Sequence, residues 1–212
     1  FRLSALFLTR CQPSLLLPFL LSAPRSHTTL GSFLVCRTAM TGAARLIPEV
    51  VADTQKFLDE NAQEKTKSWW ENYVKGSSFR GCNMAASRAA MQKAVAKHSV
   101  RTWSADDRVQ LGMKLLEADP YTDDKLAGVL LLAEISLPAG DLDGKENWDR
   151  ACEQWRGLFM ANKISDWNIC DWLCVKVLGP GAARNGRAGA GRLLAWSHLP
   201  PEQSTLWLRR AG

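Results

Sequence analysis

In the stretch ISDWNICDWLCVKVLGP (164–180), Asp171 stands four residues after Trp167 and four before Val175. On a helix these three side chains share one stripe. An ionised carboxylate among apolar neighbours costs several kcal/mol unless partners or water meet it. The sequence therefore retains Asp171 either for a structural bond, capping a neighbouring helix or pairing an Arg, or for the chemistry an apposed carboxylate performs on developing positive charge. Residue types alone favour the structural bond. Cys170 and Cys174 are also one turn apart, yet no third and fourth ligand stands near them in sequence, so core packing is the better reading of both. His98 ends a predicted helix, where it complements the dipole, and has no catalytic part.

The element that must position Asp171 is well marked. Ser165 reads as its N-cap, Asp166 lies in the first turn, Lys176 suits the last turn, and Gly179-Pro180 is a stop signal. Between them Trp167, Ile169, Cys170, Trp172, Leu173, Cys174, Val175, Val177 and Leu178 cover nearly the whole circumference, as in a central helix packed on several sides. Upstream, periodicity predicts helices over 47–61, 65–74, 85–98, 105–118, 122–135 and 146–163, with loop signals at Gly76-Ser77-Ser78, Asp119-Pro120 and Pro138-Ala139-Gly140-Asp141. No alternating run supports a strand. Short amphipathic helices with brief turns fit a globular bundle or a stack of helical hairpins of the HEAT type, and the weak internal echoes do not choose between them.

The 212 residues suffice for one domain with appendages. The net charge of +6 comes from the ends: residues 1–48 hold five Arg and no acid, 181–212 hold five Arg and one Glu, and the body between is slightly acidic. Net charge thus gives no reason to read the body as a nucleic-acid binder, and any basic patch there is local. Six Cys are too few for a disulfide scaffold, and Cys82, Cys152, Cys170 and Cys174 read as reduced thiols. Of the nine Trp, Trp69, Trp70, Trp103, Trp148, Trp155 and Trp172 have spacings that fit core packing.

Residues 1–45, rich in Arg, Ser and Thr, have the composition of a disordered organelle transit peptide. The competing reading is that 1–39 do not belong to the natural product, since the chain begins at Phe1 and Met40 opens an ordinary helix-bearing sequence. The leader reading places the protein in a chloroplast or mitochondrion, the other in the nucleus or cytoplasm. The run Leu15 to Leu21 is too short to span a bilayer, which needs about 20 residues. Residues 46–180 read as the helical domain, 181–195 as a flexible Gly/Ala/Arg-rich connector, and 196–212 as the unfinished start of a further repeat.

Four segments in order, YVKGSSFRGCNMAASRAA (73–90), DDKLAGVLLLAEI (123–135), SDWNICDWLCVKVLGP (165–180) and LWLRRAG (206–212), resemble the DNA alkylation repair family, the HEAT-like helical glycosylases often called AlkD-like. The resemblance implies an all-α, HEAT-like α-solenoid of antiparallel helix pairs that cradles alkylated duplex DNA and excises purines alkylated at N3 or N7. It implies Asp171 as the carboxylate, Trp167 as the aromatic wall and Arg210 as a contact to the DNA backbone, with no metal, no cofactor, no membrane and a monomeric protein. Phosphate positioning would add Arg209, Lys75, Arg80 and Arg88, although in an acidic body the last three read more simply as solvated surface charge.

The chemistry agrees with those residue types. An alkylated purine is cationic, its glycosidic bond is weakened, and a carboxylate can stabilise the charge that cleavage moves onto the sugar. An indole face adds about 0.5–2 kcal/mol of cation–π attraction. Two departures from the family pattern stand against full activity: the connector at 181–195 replaces a continuous helix, and the chain ends before later helices that carry a second active-site aromatic. The competing class is a non-catalytic helical-repeat module that binds DNA or protein, or an inactive fragment.

Overall fold

The computed structural model describes residues 42–212; the leader expected over 1–45 lies outside them except at its last four positions. Among the described residues there is no strand, only an isolated bridge between Ser78 and Tyr121. Among the described residues nine helices carry the fold. They are α1 (Ile47–Asp59), α2 (Glu64–Tyr73), α3 (Met84–Lys97), α4 (Ala105–Glu117), α5 (Thr122–Leu131, continued by a π-helical turn Leu132–Ser136 and by Leu137–Ala139), α6 (Lys145–Met160), α7 (Trp167–Leu173, a π-helical turn Cys174–Leu178, then Gly179–Arg184), α8 (Gly186–Ser197) and α9 (Leu206–Ala211).

Local chemistry sets these boundaries. The Asn83 side chain accepts the Ala86 N–H at 2.9 Å, and Ser104 Oγ accepts the Asp107 N–H at 3.2 Å, so α3 and α4 begin on capped turns. Apolar spacing then sets the buried face: Val50, Thr54, Phe57 and Leu58 line one side of α1, and Thr54 returns its hydroxyl to the Val50 carbonyl. The helices pack in two layers. One contains α1, α4, α6 and α8 and the other α3, α5, α7 and α9, each helix beside its predecessor in the layer, with α1 against α3, α4 against α5 and α8 against α9 across them. This is the all-α helical-repeat architecture expected from the sequence. Helix α2 contributes no buried residue and stands outside both layers.

The stretch 181–195 is not a flexible connector. It is helical, in the tail of α7 and in α8. Its small residues serve close packing: a Cβ on Gly181 would overlap the buried Trp148 ring, and the Gly189 carbonyl accepts the Trp148 indole N–H at 3.2 Å. Expected flexibility is replaced by a helix-to-helix contact that only small residues permit. Gly181→Ala should accordingly destabilise the protein by about 1–3 kcal/mol through overpacking, read as a fall in the urea midpoint at unchanged slope; an unshifted midpoint would show that Trp148 yields without cost.

Gly179-Pro180 does not stop α7 either. The π-helical turn before it absorbs one extra residue, and Pro180 then occupies an N-terminal position of the next segment, where its missing N–H is not needed.

Candidate active site on helices α2, α7 and α9

The cap of α7 is Asp166 rather than Ser165: its Oδ1 accepts the Ile169 N–H at 2.9 Å. Ile169, Cys170, Leu173 and Val177 turn into the core, which leaves the stripe of Trp167, Asp171 and Val175 on the accessible side. Trp167 and Asp171 are partly exposed and Val175 is open to solvent.

Asp171 is neither buried nor alone. Arg210 donates to it through a fork, Nε to Oδ1 and Nη2 to Oδ2, both at 2.8 Å, with 41% of the Asp171 and 51% of the Arg210 side chain exposed. Bidentate geometry fixes both groups in orientation. The Asp171 carboxylate raises the Arg210 guanidinium above its usual range, so this arginine stays charged throughout the accessible pH range.

Helix α9 reaches this position because Thr205 caps it, accepting the Leu208 N–H at 3.1 Å, and because Leu208 is fully buried. The Cys170 thiol donates to the Trp207 carbonyl at 3.6 Å. Cys170 thus meets α9 at Trp207 and Asp171 meets it at Arg210. Both thiols follow the packing reading, Cys170 buried and Cys174 half-buried. Their mutual contact and burial push the Cys170 thiol up, and the same contact lowers Cys174.

The aromatic side of the site comes from α2. Tyr73 meets Trp167 edge to face at 5.2 Å, and Trp69 stacks on Tyr73 at 5.0 Å with 26° between the planes. Trp69 and Tyr73 are 56% and 57% exposed. The expectation that Trp69 and Trp70 are core residues is thus corrected: Trp69 is on the surface, and only Trp70 turns inward, stacking on buried Phe79 at 5.5 Å. Sequence reasoning missed Tyr73 as a neighbour of Trp167 and Trp69 as the ring stacked on it. The available signal was that EKTKSWWENY has no aliphatic residue, so its aromatics had no apolar stripe to join.

The other basic residues divide sharply. Arg80 does not present a free cation, so it is left out of the phosphate contacts proposed below. Its side chain is 11% exposed, donates Nε and Nη2 to the fully buried Asp124 at 2.6 and 3.0 Å, reaches Asp59 at 2.5 Å and lies 4.4 Å over the Tyr121 ring. Burial opposes its charge, but the two carboxylates more than offset that and hold it above the usual arginine range. Arg88 is half-exposed and paired with Glu134 at 2.7 Å. Arg209 donates to the Ser204 hydroxyl at 2.8 Å. Lys75 is exposed and meets only the Asn72 side-chain carbonyl, at 3.2 Å.

Asp123, beside Asp124, accepts the backbone N–H groups of Arg80 and Cys82 at 2.7 and 3.0 Å, and burial raises its carboxyl. The two acids at the start of α5 therefore hold the loop that joins α2 to α3. At that loop Gly81 has φ of +107° and sits against the Gln63 carbonyl, a place a side chain would not fit.

The family model described as DNA alkylation repair enzyme matches residues 54–212. No curated protein and no solved structure matches the chain.

Proposed function

Since the chain belongs to the DNA alkylation repair enzyme family, we propose that it is a metal-free DNA glycosylase that hydrolyses the N-glycosidic bond of cationic N3- or N7-alkylated purines in duplex DNA. The observation that carries this reading is the half-exposed Asp171 carboxylate, oriented by Arg210 and sharing a helix stripe with Trp167. In the reaction the bond from C1′ to the purine nitrogen breaks, and its electron pair neutralises the departing base. Positive charge develops on the sugar, where Asp171 stabilises it and orients the attacking water. Water bonds to C1′, and its proton passes to the carboxylate or to solvent. The leaving group is already cationic, so the route asks for no Lewis acid.

Arg210 has two roles in this scheme. In the free protein it holds the carboxylate aimed; beside DNA a phosphate competes for its fork, and the two anions share one guanidinium. Trp167 and Tyr73 supply electron-rich surface for a cationic base or sugar. Lys75, Arg88 and Arg209 are the remaining phosphate contacts in the proposal. No helix among the described residues is long and apolar enough to cross a membrane, and the protein is read as acting as a monomer.

A second reading draws on the same ion pair. Asp171 is met by an arginine, as in a structural pair, which suits a helical-repeat module that binds DNA without cutting it. Release of N3-methyladenine or N7-methylguanine from methylated duplex DNA decides between them. Time-dependent release that leaves abasic sites is expected; binding to the same DNA with no release by folded protein would overturn the glycosylase reading in favour of the module.

A further inference from the structure

Among the described residues helix α2 is the one helix that stands outside both layers. Its hold on the body includes Trp70 on Phe79, the Phe79 N–H donated to Glu71 at 3.3 Å, Tyr73 on Trp167 and buried Val74 just after its end. Trp69 is not used for that purpose, yet it stands in solvent in face-to-face contact with Tyr73, whose ring abuts Trp167 beside Asp171. The stripe that carries Trp69 and Tyr73 also carries Lys65, one turn earlier, and Lys75 lies two residues beyond Tyr73.

Many cations among the described residues are ion-paired, whereas Lys65 and Lys75, like Lys56, Lys67, Arg101 and Arg187, are not. Arg88, Lys93, Lys97, Lys114, Arg150 and Arg184 each sit against a carboxylate. Lys65 and Lys75 are exposed and belong to none of the ion pairs among the described residues. Stacked aromatics flanked by unpaired cations are what an unstacked nucleotide requires: a π-face for the base and positive charge for the phosphates on either side. A paired and stacked base offers its edges but no face, so the Trp69 ring gains nothing from an intact duplex.

We infer that α2 is a stacking arm, on which Trp69 receives an unpaired base of the DNA while Lys65 and Lys75 meet its neighbouring phosphates. This rests on DNA being the partner, and it adds a preference for DNA whose stack is already broken near the lesion. Trp69 is a positioning residue in this scheme, because Tyr73 and Trp167 lie between it and Asp171.

The test uses the full chain and two duplexes of equal length, one fully paired and one with a single bulged 2-aminopurine. Wild-type protein should bind the bulged duplex more tightly and quench its fluorescence. Trp69→Ala should weaken bulge binding about tenfold and abolish the quench, while changing affinity for the paired duplex less than twofold. Trp69→Phe should restore most of the bulge preference. Lys65→Ala should weaken both duplexes alike and reduce the salt slope of binding by about one. Equal losses on both duplexes with Trp69→Ala, or no loss on either, overturn the stacking arm. Base release by a Trp69→Ala protein with unaltered bulge binding would overturn the arm alone, and absence of binding to either DNA by the wild type would overturn both the arm and the glycosylase reading.

Discussion

Asp171→Asn should lower the rate of alkylpurine release by about 10²-fold or more, the size of effect that follows removal of one preorganised group facing developing charge. The fold should hardly notice. Both partners of the Asp171 and Arg210 pair are about half exposed, and pairs of that kind contribute about 0–1 kcal/mol. Asn keeps the shape and still accepts a hydrogen bond from Arg210, so the guanidinium remains near its place, while the negative charge opposite the sugar is gone. DNA affinity should hold or rise slightly, since the substitution removes an anion from a phosphate-facing surface and leaves Arg210 free to meet a phosphate. The prediction is therefore a split: a large loss in single-turnover base release with an unchanged or smaller dissociation constant. A variant that releases base within threefold of the wild type would show that Asp171 is only the structural partner of Arg210, and the charge stabilisation would have to come from elsewhere.

That split also shows which part of the site could be read from the sequence. Asp171 was conspicuous because a carboxylate on an apolar helix demands an explanation, and its stripe with Trp167 follows from helical spacing alone. Its partner was not legible that way. Arg210 lies 39 residues further on, and the two meet only because α7 and α9 are neighbours in one layer; it was the family resemblance that placed them in one site. The aromatic side shows the opposite failure. Trp69 and Trp70 are adjacent on one helix, and spacing gives both the same credentials for the core, whereas the fold half-buries Trp70 against Phe79 and leaves Trp69 outside. Glycine misled for a different reason. In 181–195 it suggests a chain that loses too much entropy to order itself, but Gly181 and Gly189 are the positions at which two helices close on Trp148. No local signal separates a glycine chosen for freedom from one chosen for size.

Asp124→Ala should cost about 3–5 kcal/mol of folding stability, the usual penalty for leaving a buried ion without its partner. Asp124 is fully buried, and it receives two N–H groups from Arg80 and one from the Gln55 side chain, at 2.6, 3.0 and 3.0 Å. Once the carboxylate is removed, Arg80 retains only Asp59 as an ion-pair partner, itself mostly exposed, and a side chain 11% exposed has little water to turn to. A loss of that size is a large fraction of the roughly 5–15 kcal/mol that holds a domain together. It should appear as a markedly lower urea midpoint. The converse variant, Arg80→Met with Asp124→Leu, removes both charges and should recover much of the loss, because no buried charge is left without its counter-ion and only Gln55 and the mostly exposed Asp59 lose a partner. These stabilities decide more than the fold. Arg80 and its neighbouring backbone N–H groups tie the loop after α2 to the start of α5, so the position of Tyr73, and with it the aromatic side of the site, depends on an ion pair that never meets substrate. Should Asp124→Ala cost less than about 1 kcal/mol, Arg80 would be a weakly held cation able to swing out to a phosphate, and its place among the DNA contacts would be restored.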